Sequence, residues 1–519
     1  MTVRPTAVAT PSEKLAASLA KLQEQQTGGR RVFRSRAFSR VHRERLIAQG
    51  FLREVAKGWL ISSSPDAGPM DSTPWYASFW QFCAAYCGER FGDDWHLSPE
   101  QSALLHAEST TIPQQVIVYS PKGTNNTLAL LFDTSLYDLK QAQMPPSAQL
   151  VIRDGLRLYT PAAALLKLPE AFFIRHSVEA QVLLASIKDP SELLTLLLEG
   201  GHSIIAARLA GAFRRIGRPA IADEILKTMK SAGFDRGETD PFEAQQHINA
   251  PAADEAPIAR RLRTLWAEYR AGIAAAFPAA PGLPADRARY LRFVDEIYQH
   301  DAYHSLSIEG YRVTLELIER VRAGNWNPEN NAQDRDNRDA LAARGYWQAF
   351  QAVKENITAI VGGADGPALV SNSHRDWYRE MFSPSVAAGL MRPAALAGYR
   401  NDAVFLRGSR HVPPRWEAVR DAMPAYFDLL RTEPEPSVRA VLGHWMFGYI
   451  HPYFDGNGRM ARFLMNAMLA SGGYPWTVIR VEDRTAYMDA LEAASVGMDI
   501  GPFTRFIADR VRWSMEQAA

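Results

Sequence analysis

Within twelve consecutive positions, His451-Pro452-Tyr453-Phe454-Asp455-Gly456-Asn457-Gly458-Arg459-Met460-Ala461-Arg462, the chain sets one imidazole, one carboxylate, an amide between two glycines and two guanidiniums. These are the parts needed to hold a nucleotide triphosphate with its metal and to deprotonate an attacking hydroxyl. A Gly-x-Gly turn feeding a helix N-terminus presents successive backbone N–H groups and the positive end of the helix dipole, which is a cradle for phosphate oxygens. Arg459 and Arg462 are three apart and share a face at the helix start, suited to gripping further phosphates. Asp455 adjoins the cradle, where a hard carboxylate binds a magnesium ion bridging phosphates. His451 precedes the loop, and an ordinary imidazole, with a pKa of about 6.5, takes a hydroxyl proton near neutral pH. A lone Gly-x-Gly-x-x-Arg is a weak signal, and a lone histidine at a helix end is usually structural. The ordered set carries the reading.

Two helices must position this loop. Ser437 to Ile450 is an apolar-rich helical stretch ended by His451-Pro452. Arg459 to Ala470 is a second, whose Phe463, Met465, Met468 and Leu469 face a core. The run resembles the Fic (filamentation induced by cAMP) family, whose motif is His-x-Phe-x-Asp/Glu-Gly-Asn-Gly-Arg-x-x-Arg. The resemblance implies His451 as general base, Asp455 as magnesium ligand, Gly456, Asn457 and Gly458 as phosphate cradle, and Arg459 and Arg462 on the outer phosphates. It implies ATP as donor and a Ser, Thr or Tyr hydroxyl of a protein, this chain included, as acceptor: a protein adenylyltransferase. Tyr453 departs from the family's phenylalanine, and a buried tyrosine needs a partner for its hydroxyl. Branches of the family that phosphorylate carry lysine where this chain has Gly458, so the glycine favours nucleotidyl transfer.

Two further segments resemble family elements. Tyr399 to Pro414 reads as a β-hairpin turning at Gly408-Ser409, similar to the family's flap, which pairs with an extended segment of the target by strand addition. Ser305-Leu306-Ser307-Ile308-Glu309-Gly310 matches the family's inhibitory pattern, Ser/Thr-x-x-x-Glu-Gly/Asn. Ser305 and Glu309 are four apart and share a helix face, with Tyr298, Tyr303 and Tyr311 to dock the helix. The resemblance implies that Glu309 pairs with Arg462 and withholds it from the terminal phosphate. An ion pair of this kind costs about 3 kcal/mol to break, roughly 100-fold in nucleotide binding. Tyr487 is a candidate for either a base contact or core packing.

The chain as a whole bounds these readings. At 519 residues it is too long for one core. A net charge of +1 gives no global field toward nucleic acid or membrane, so any such attraction is local. Cys83 and Cys87 are four apart, and two thiols alone make no zinc site, so packing in a reducing compartment is the reading. No apolar run approaches the ~20 residues of a spanning helix, and Met1 to Lys14 has no apolar signal core. The expectation is a cytoplasmic protein without membrane association.

The local charge lies at Arg30 to Lys57, where nine Lys/Arg oppose Glu44 and Glu54. Ser12 to Gln26 reads as an amphipathic helix. Val41 to Gln49 is helix-like, and Phe51 to Ile61 alternates like a hairpin turning at Lys57-Gly58. Helix followed by basic hairpin is the pattern of a winged helix-turn-helix, with Arg40, Arg43 and Arg45 as candidate DNA contacts. Residues 45–61 also resemble the N-terminal winged helix of AbiEi-type antitoxins. The alternative function is therefore a DNA-binding transcriptional regulator, or an antitoxin-like protein, whose Fic domain senses nucleotide or a partner.

The expected fold is multi-domain. Residues 1–65 are winged-helix-like, and 66–235 are a mixed α/β domain without a catalytic constellation. A polar, proline-bearing linker spans 236–257, and 258–519 form a mostly α-helical Fic domain with the inhibitory helix and a β-hairpin flap. In 66–235, strands are expected at Val116–Tyr119, Leu128–Phe132 and Gln149–Ile152, and helices at Ala180–Leu184, Ser191–Leu198 and Ile204–Ile216.

Overall fold

The computed structural model describes residues 10–68, 70–242, 255–325 and 338–518. Positions 243–254 of the expected linker lie outside them. The chain divides into two compact units, one of residues 1–242 with 405–412, the other of residues 243–404 with 413–519.

The first unit begins with the helix Pro11–Gln25. Thr10 and Glu13 close a capping box at its start, the Thr10 hydroxyl accepting from the Glu13 N–H while Glu13 accepts from the Thr10 N–H at 2.7 Å. The helix Arg40–Ala48 is capped by Ser39. Three antiparallel strands follow the order β1-β3-β2: β1 Val32–Arg34, β2 Leu52–Ala56 and β3 Trp59–Ser62. Helix and hairpin stand where the sequence pattern places them, and Gly58 makes their turn at φ +81°.

The consecutive apolar residues Trp59, Leu60 and Ile61 are explained by burial on both faces of this sheet. Leu60 packs with Leu22, Phe33, Phe38, Leu46 and Leu52. Trp59 and Ile61 point the other way, into a cluster with Trp75, Phe79, Phe82, Val116 and Val118. Residues on either side of position 65 thus share one core.

That core includes both cysteines, free and fully buried in the helix Phe79–Phe91. Beyond it lies a four-stranded sheet in the order β4-β5-β7-β6, with β4 His96–Leu97, β5 Gln115–Ser120, β6 Asn126–Ala129 and β7 Ser135–Lys140. β5 and β7 run parallel. A hairpin of β8 Leu150–Arg153 and β9 Leu156–Tyr159 follows. The helices Ser177–Ser186, Ser191–Glu199 and Ser203–Arg215 overlay the three read from sequence. β7 escaped the reading, because Ser-Leu-Tyr-Asp-Leu-Lys buries only Leu136 and Asp138 and carries little apolar signal.

The expected β-hairpin at Tyr399–Pro414 does not form. Gly408 turns the chain at φ +78°, but no strand is assigned on either side of it. The physical reason is competition for backbone partners. The Ile112 N–H donates to the Arg410 carbonyl at 3.0 Å, and the Val412 N–H donates to the Thr110 carbonyl at 2.8 Å. His411 bridges Thr111 as a single antiparallel pair instead of closing on its own neighbours.

The second unit is helical, and no strand is assigned among its described residues. Its centre is the pair Pro436–Ile450 and Asn457–Ala470, buried on nearly every side, as helices apolar all round must be. Around them lie Pro257–Ala276, Arg287–Ile308, Arg338–Val361, Gly366–Ala387, Trp416–Thr432, Arg484–Ser495 and Gly501–Ala518. No helix among the described residues is long and apolar enough to cross a membrane.

Candidate active site

The loop between the two central helices is fixed by its own side chains. Asn457 is buried, and its amide spans the loop, accepting from the Tyr453 N–H at 2.9 Å and donating to the Tyr453 carbonyl at 2.8 Å. This locks the glycine turn shut before any ligand arrives, so Asn457 shapes the cradle. Gly456 sits at φ +78°, and an added Cβ would fall 2.7 Å from the Phe382 ring. Both the conformation and the space require glycine there.

His451 ends its helix in a left-handed conformation at φ 52°, ψ 61°, which turns the imidazole off the helix axis. Its Nδ1 lies 3.3 Å from the Gly448 carbonyl. A carbonyl only accepts, so Nδ1 carries the proton and Nε2 keeps the lone pair that a general base needs. Burial lowers the imidazole to a pKa of about 4, only partly offset by the Gly448 hydrogen bond. The ring is therefore neutral at physiological pH and able to accept a proton.

Arg400, which no motif spacing singled out, holds the histidine's backbone. The guanidinium is buried and donates to the His451 carbonyl at 2.8 Å, to the Asp402 carbonyl at 3.0 Å, and to the carbonyls of Pro414 and Ile450. Its own N–H donates to the Pro452 carbonyl at 2.8 Å. Burial lowers it to a pKa of about 10, yet it stays charged at neutral pH. It ties both ends of the 399–414 segment to the loop that begins at His451.

Asp455 presents a half-exposed carboxylate beside the cradle. Oδ1 accepts from the Gly456 N–H at 2.6 Å and lies 3.4 Å from Arg459. No hydrogen bond reaches Oδ2 among the described residues, and no cluster of three metal-ligating side chains occurs among them. One open carboxylate fits a magnesium ion held mostly by phosphate oxygens and water, and does not fit an all-protein metal cage. Arg459 is buried, its guanidinium 5.3 Å from the Tyr311 ring and 5.1 Å from the Phe382 ring. Its Nε is buried without a partner among the described residues. An unsatisfied donor of that kind is costly unless a ligand supplies the acceptor.

The segment 305–310 is engaged with Arg462. Glu309 follows the last residue of the helix Arg287–Ile308, and its Oε1 accepts from Arg462 at 2.7 Å. Arg462 also donates through Nε to the Ser305 hydroxyl at 2.8 Å and to the Ser305 carbonyl at 3.1 Å. Burial opposes charge on both partners, but their mutual attraction prevails: Glu309 is held below its ordinary pKa and Arg462 above its own. A Cβ on Gly458 would collide with Glu309 Oε1. The carboxylate thus lies against the glycine cradle itself, where phosphate oxygens would sit. Tyr298 docks the helix from below, edge-on to Trp347 at 4.6 Å.

Tyr487 is a core residue, buried and bonded to His444 Nε2 at 2.7 Å. The candidate DNA contacts are largely engaged within their own unit. Arg45 donates at 2.8 Å to both the Lys14 carbonyl and the Ser18 hydroxyl, Arg43 reaches the Ser35 carbonyl at 3.4 Å, and Arg40 pairs with Glu44 at 2.8 Å.

The loop 451–462 lies in a stretch that is similar to a known family. Residues 369–469 match the model of the Fic/DOC family. The chain is 34% identical over 230 residues to "Protein adenylyltransferase Fic" of Nematostella vectensis, covering 44% of this chain and 50% of that protein. It is 31% identical over 221 residues to the protein of the same name from Drosophila willistoni, covering 41% and 40%. Among solved structures, Fic-1 (aa134–508) from C. elegans aligns at 19% identity with a TM-score of 0.38, covering 66% of this chain and 98% of that one. The chain spans about half the length of the curated relatives it matches. It carries a Fic/DOC family domain at residues 369–469.

Proposed function

We propose that this chain is a protein adenylyltransferase that transfers AMP from ATP to a Ser, Thr or Tyr hydroxyl of a protein, and that Glu309 inhibits it. The observation that carries the reading is the Glu309 carboxylate seated against Gly458 with Arg462 in its grip. A carboxylate lodged in a cradle built for anions marks what the cradle is for. The names of the curated relatives support AMP as the transferred group.

In this mechanism the target hydroxyl oxygen forms a bond to the α-phosphorus, and the bond from that phosphorus to the bridging oxygen breaks, releasing pyrophosphate. His451 Nε2 takes the hydroxyl proton as the bond forms. The backbone N–H groups of the glycine turn and the start of the following helix stabilise the charge on the phosphate oxygens. A magnesium ion at Asp455, when bound, neutralises phosphate charge. Arg459 is positioned for the same anions, while Arg462 becomes available once Glu309 leaves. The test is a Glu309→Gly variant given ATP labelled at either the α or the γ phosphate. Protein-bound label from the α position alone supports the reading; label from the γ position overturns it in favour of phosphorylation.

The alternative, a DNA-binding regulator, draws on the side chains of Arg36 and Arg40, which are 76% and 82% exposed. Binding of duplex DNA that weakens steeply with salt and is lost in Arg36→Ala/Arg40→Ala supports it. No shift at low salt ends it.

A further inference from the structure

A cavity of about 1020 Å³ opens in the second unit. It lies among the helices Gly366–Ala387 and Trp416–Thr432 and the segment 394–401, and its rim includes Phe454, three residues beyond His451. Its lining sets three guanidiniums against one carboxylate. Arg375, Arg420 and Arg431 face it, with the side-chain amides of Asn372 and Asn401. The one carboxylate in the lining, Asp428, is already held by Arg263 at 2.9 Å and by Arg431. His374 adds no acceptor, since its two ring nitrogens meet the Ser371 carbonyl and the Tyr399 hydroxyl, each at 2.8 Å.

Arg375 and Arg420 form no ion pair among the described residues. Each rests over a ring instead, 4.8 Å from the Tyr399 centroid and 5.5 Å from that of Trp416. Both guanidiniums are exposed and open to a carboxylate from outside. A second observation points the same way. Arg375 also lines a smaller adjoining cleft of about 350 Å³ with Arg379 and Tyr453. The Tyr453 hydroxyl there is buried without a partner among the described residues. Where the family motif has phenylalanine, this chain has placed a phenol beside two guanidiniums.

We infer that this cavity is the docking site for an acidic stretch of the protein that receives the nucleotide. The inference rests on the transferase reading for its purpose, although not for its chemistry. Guanidinium groups recognise carboxylates in bidentate fashion. Exposed Phe454, 46% accessible, adds an apolar contact to the lining. Charge complementarity raises the encounter rate and orients the target.

The test uses the full-length Glu309→Gly protein and a fluorescein-labelled peptide of alternating Glu and Ser, with a Lys/Ser peptide as control, in anisotropy titrations without nucleotide. The acidic peptide binds, weakens with added salt, and binds at least about tenfold more weakly to Arg375→Ala/Arg420→Ala, while the Lys/Ser peptide does not bind. Arg375→Glu/Arg420→Glu reverses the preference. Both arginines are exposed, so melting temperature and the thermal shift caused by ATP stay unchanged in these variants. Equal binding to parent and double variant, or no binding to the parent, overturns the docking site. Because the titration contains no nucleotide, that failure is separate from a failure of AMP transfer, which self-labelling reads.

Discussion

Two arginine-rich segments of this chain invite functional readings, and the structure treats them oppositely. At 459–462, two buried guanidiniums converge on one loop, one facing an intruding carboxylate and the other left with an unsatisfied Nε. At 30–57, nine basic residues are spread over helix, strand and turn, and several serve their own fold. Arg34 lies 4.7 Å from the Trp59 ring and 3.3 Å from Glu89, and Arg53 donates to the carbonyls of Gly68 and Asp71. Counting arginines does not separate the two cases, whereas spacing around a glycine turn does.

The largest expected effect lies at the first segment. Glu309→Gly removes the carboxylate from the cradle and raises nucleotide binding by about 100-fold, read by calorimetry or by self-labelling rate. Unchanged binding would take the inhibitory contact out of the account. Ser305→Ala deletes the hydroxyl that holds Arg462 Nε but leaves the ion pair. A hydrogen bond to a charged group contributes about 1.5 kcal/mol, so the gain is roughly tenfold. An effect equal to that of Glu309→Gly would move the inhibition from the carboxylate to the hydroxyl.

At the second segment the comparison predicts a structural phenotype. Arg45→Ala breaks two hydrogen bonds to the helix Pro11–Gln25 and lowers stability by about 1–2 kcal/mol. Arg40→Ala leaves the melting temperature where it was. If Arg45→Ala melts like the parent and loses duplex DNA, the contrast between the segments fails.

The smallest expected effect is an absence of change. His451 is held to a pKa of about 4, below the usual 6.5, so it stays neutral between pH 8 and 6. Self-labelling by Glu309→Gly stays level across that range, and a loss with a midpoint near 6.5 would show a solvated imidazole. The sign for stability follows from the same depression. The unfolded chain binds the proton first, so the neutral ring's contribution is complete above about 6.5 and is lost as pH falls toward 4.

The legibility of the sequence follows the same division. The loop 451–462 was legible because its residues are consecutive, and the Glu309–Arg462 contact because Ser305 and Glu309 keep a helical spacing that the fold preserves. Trp59 to Ile61 gave the right strand, but not that both its faces are buried. The 399–414 segment misled for a physical reason: alternation and a Gly-Ser turn specify strands, while the partner of those strands is set by tertiary contact with residues 110–112. Arg400 was invisible because its partners are backbone carbonyls from Asp402 to His451, which no side-chain pattern records. Tyr453 brings a hydroxyl that needs a partner when buried, and the structure leaves it without one among the described residues.

The most direct measurement compares wild type, Glu309→Gly and Glu309→Gly/His451→Ala, each incubated with magnesium and ATP and read by intact mass. The account predicts an adenylyl adduct on Glu309→Gly, far less on wild type, and none once His451 is removed. An adduct that persists without His451, or that is absent from all three proteins, would contradict it.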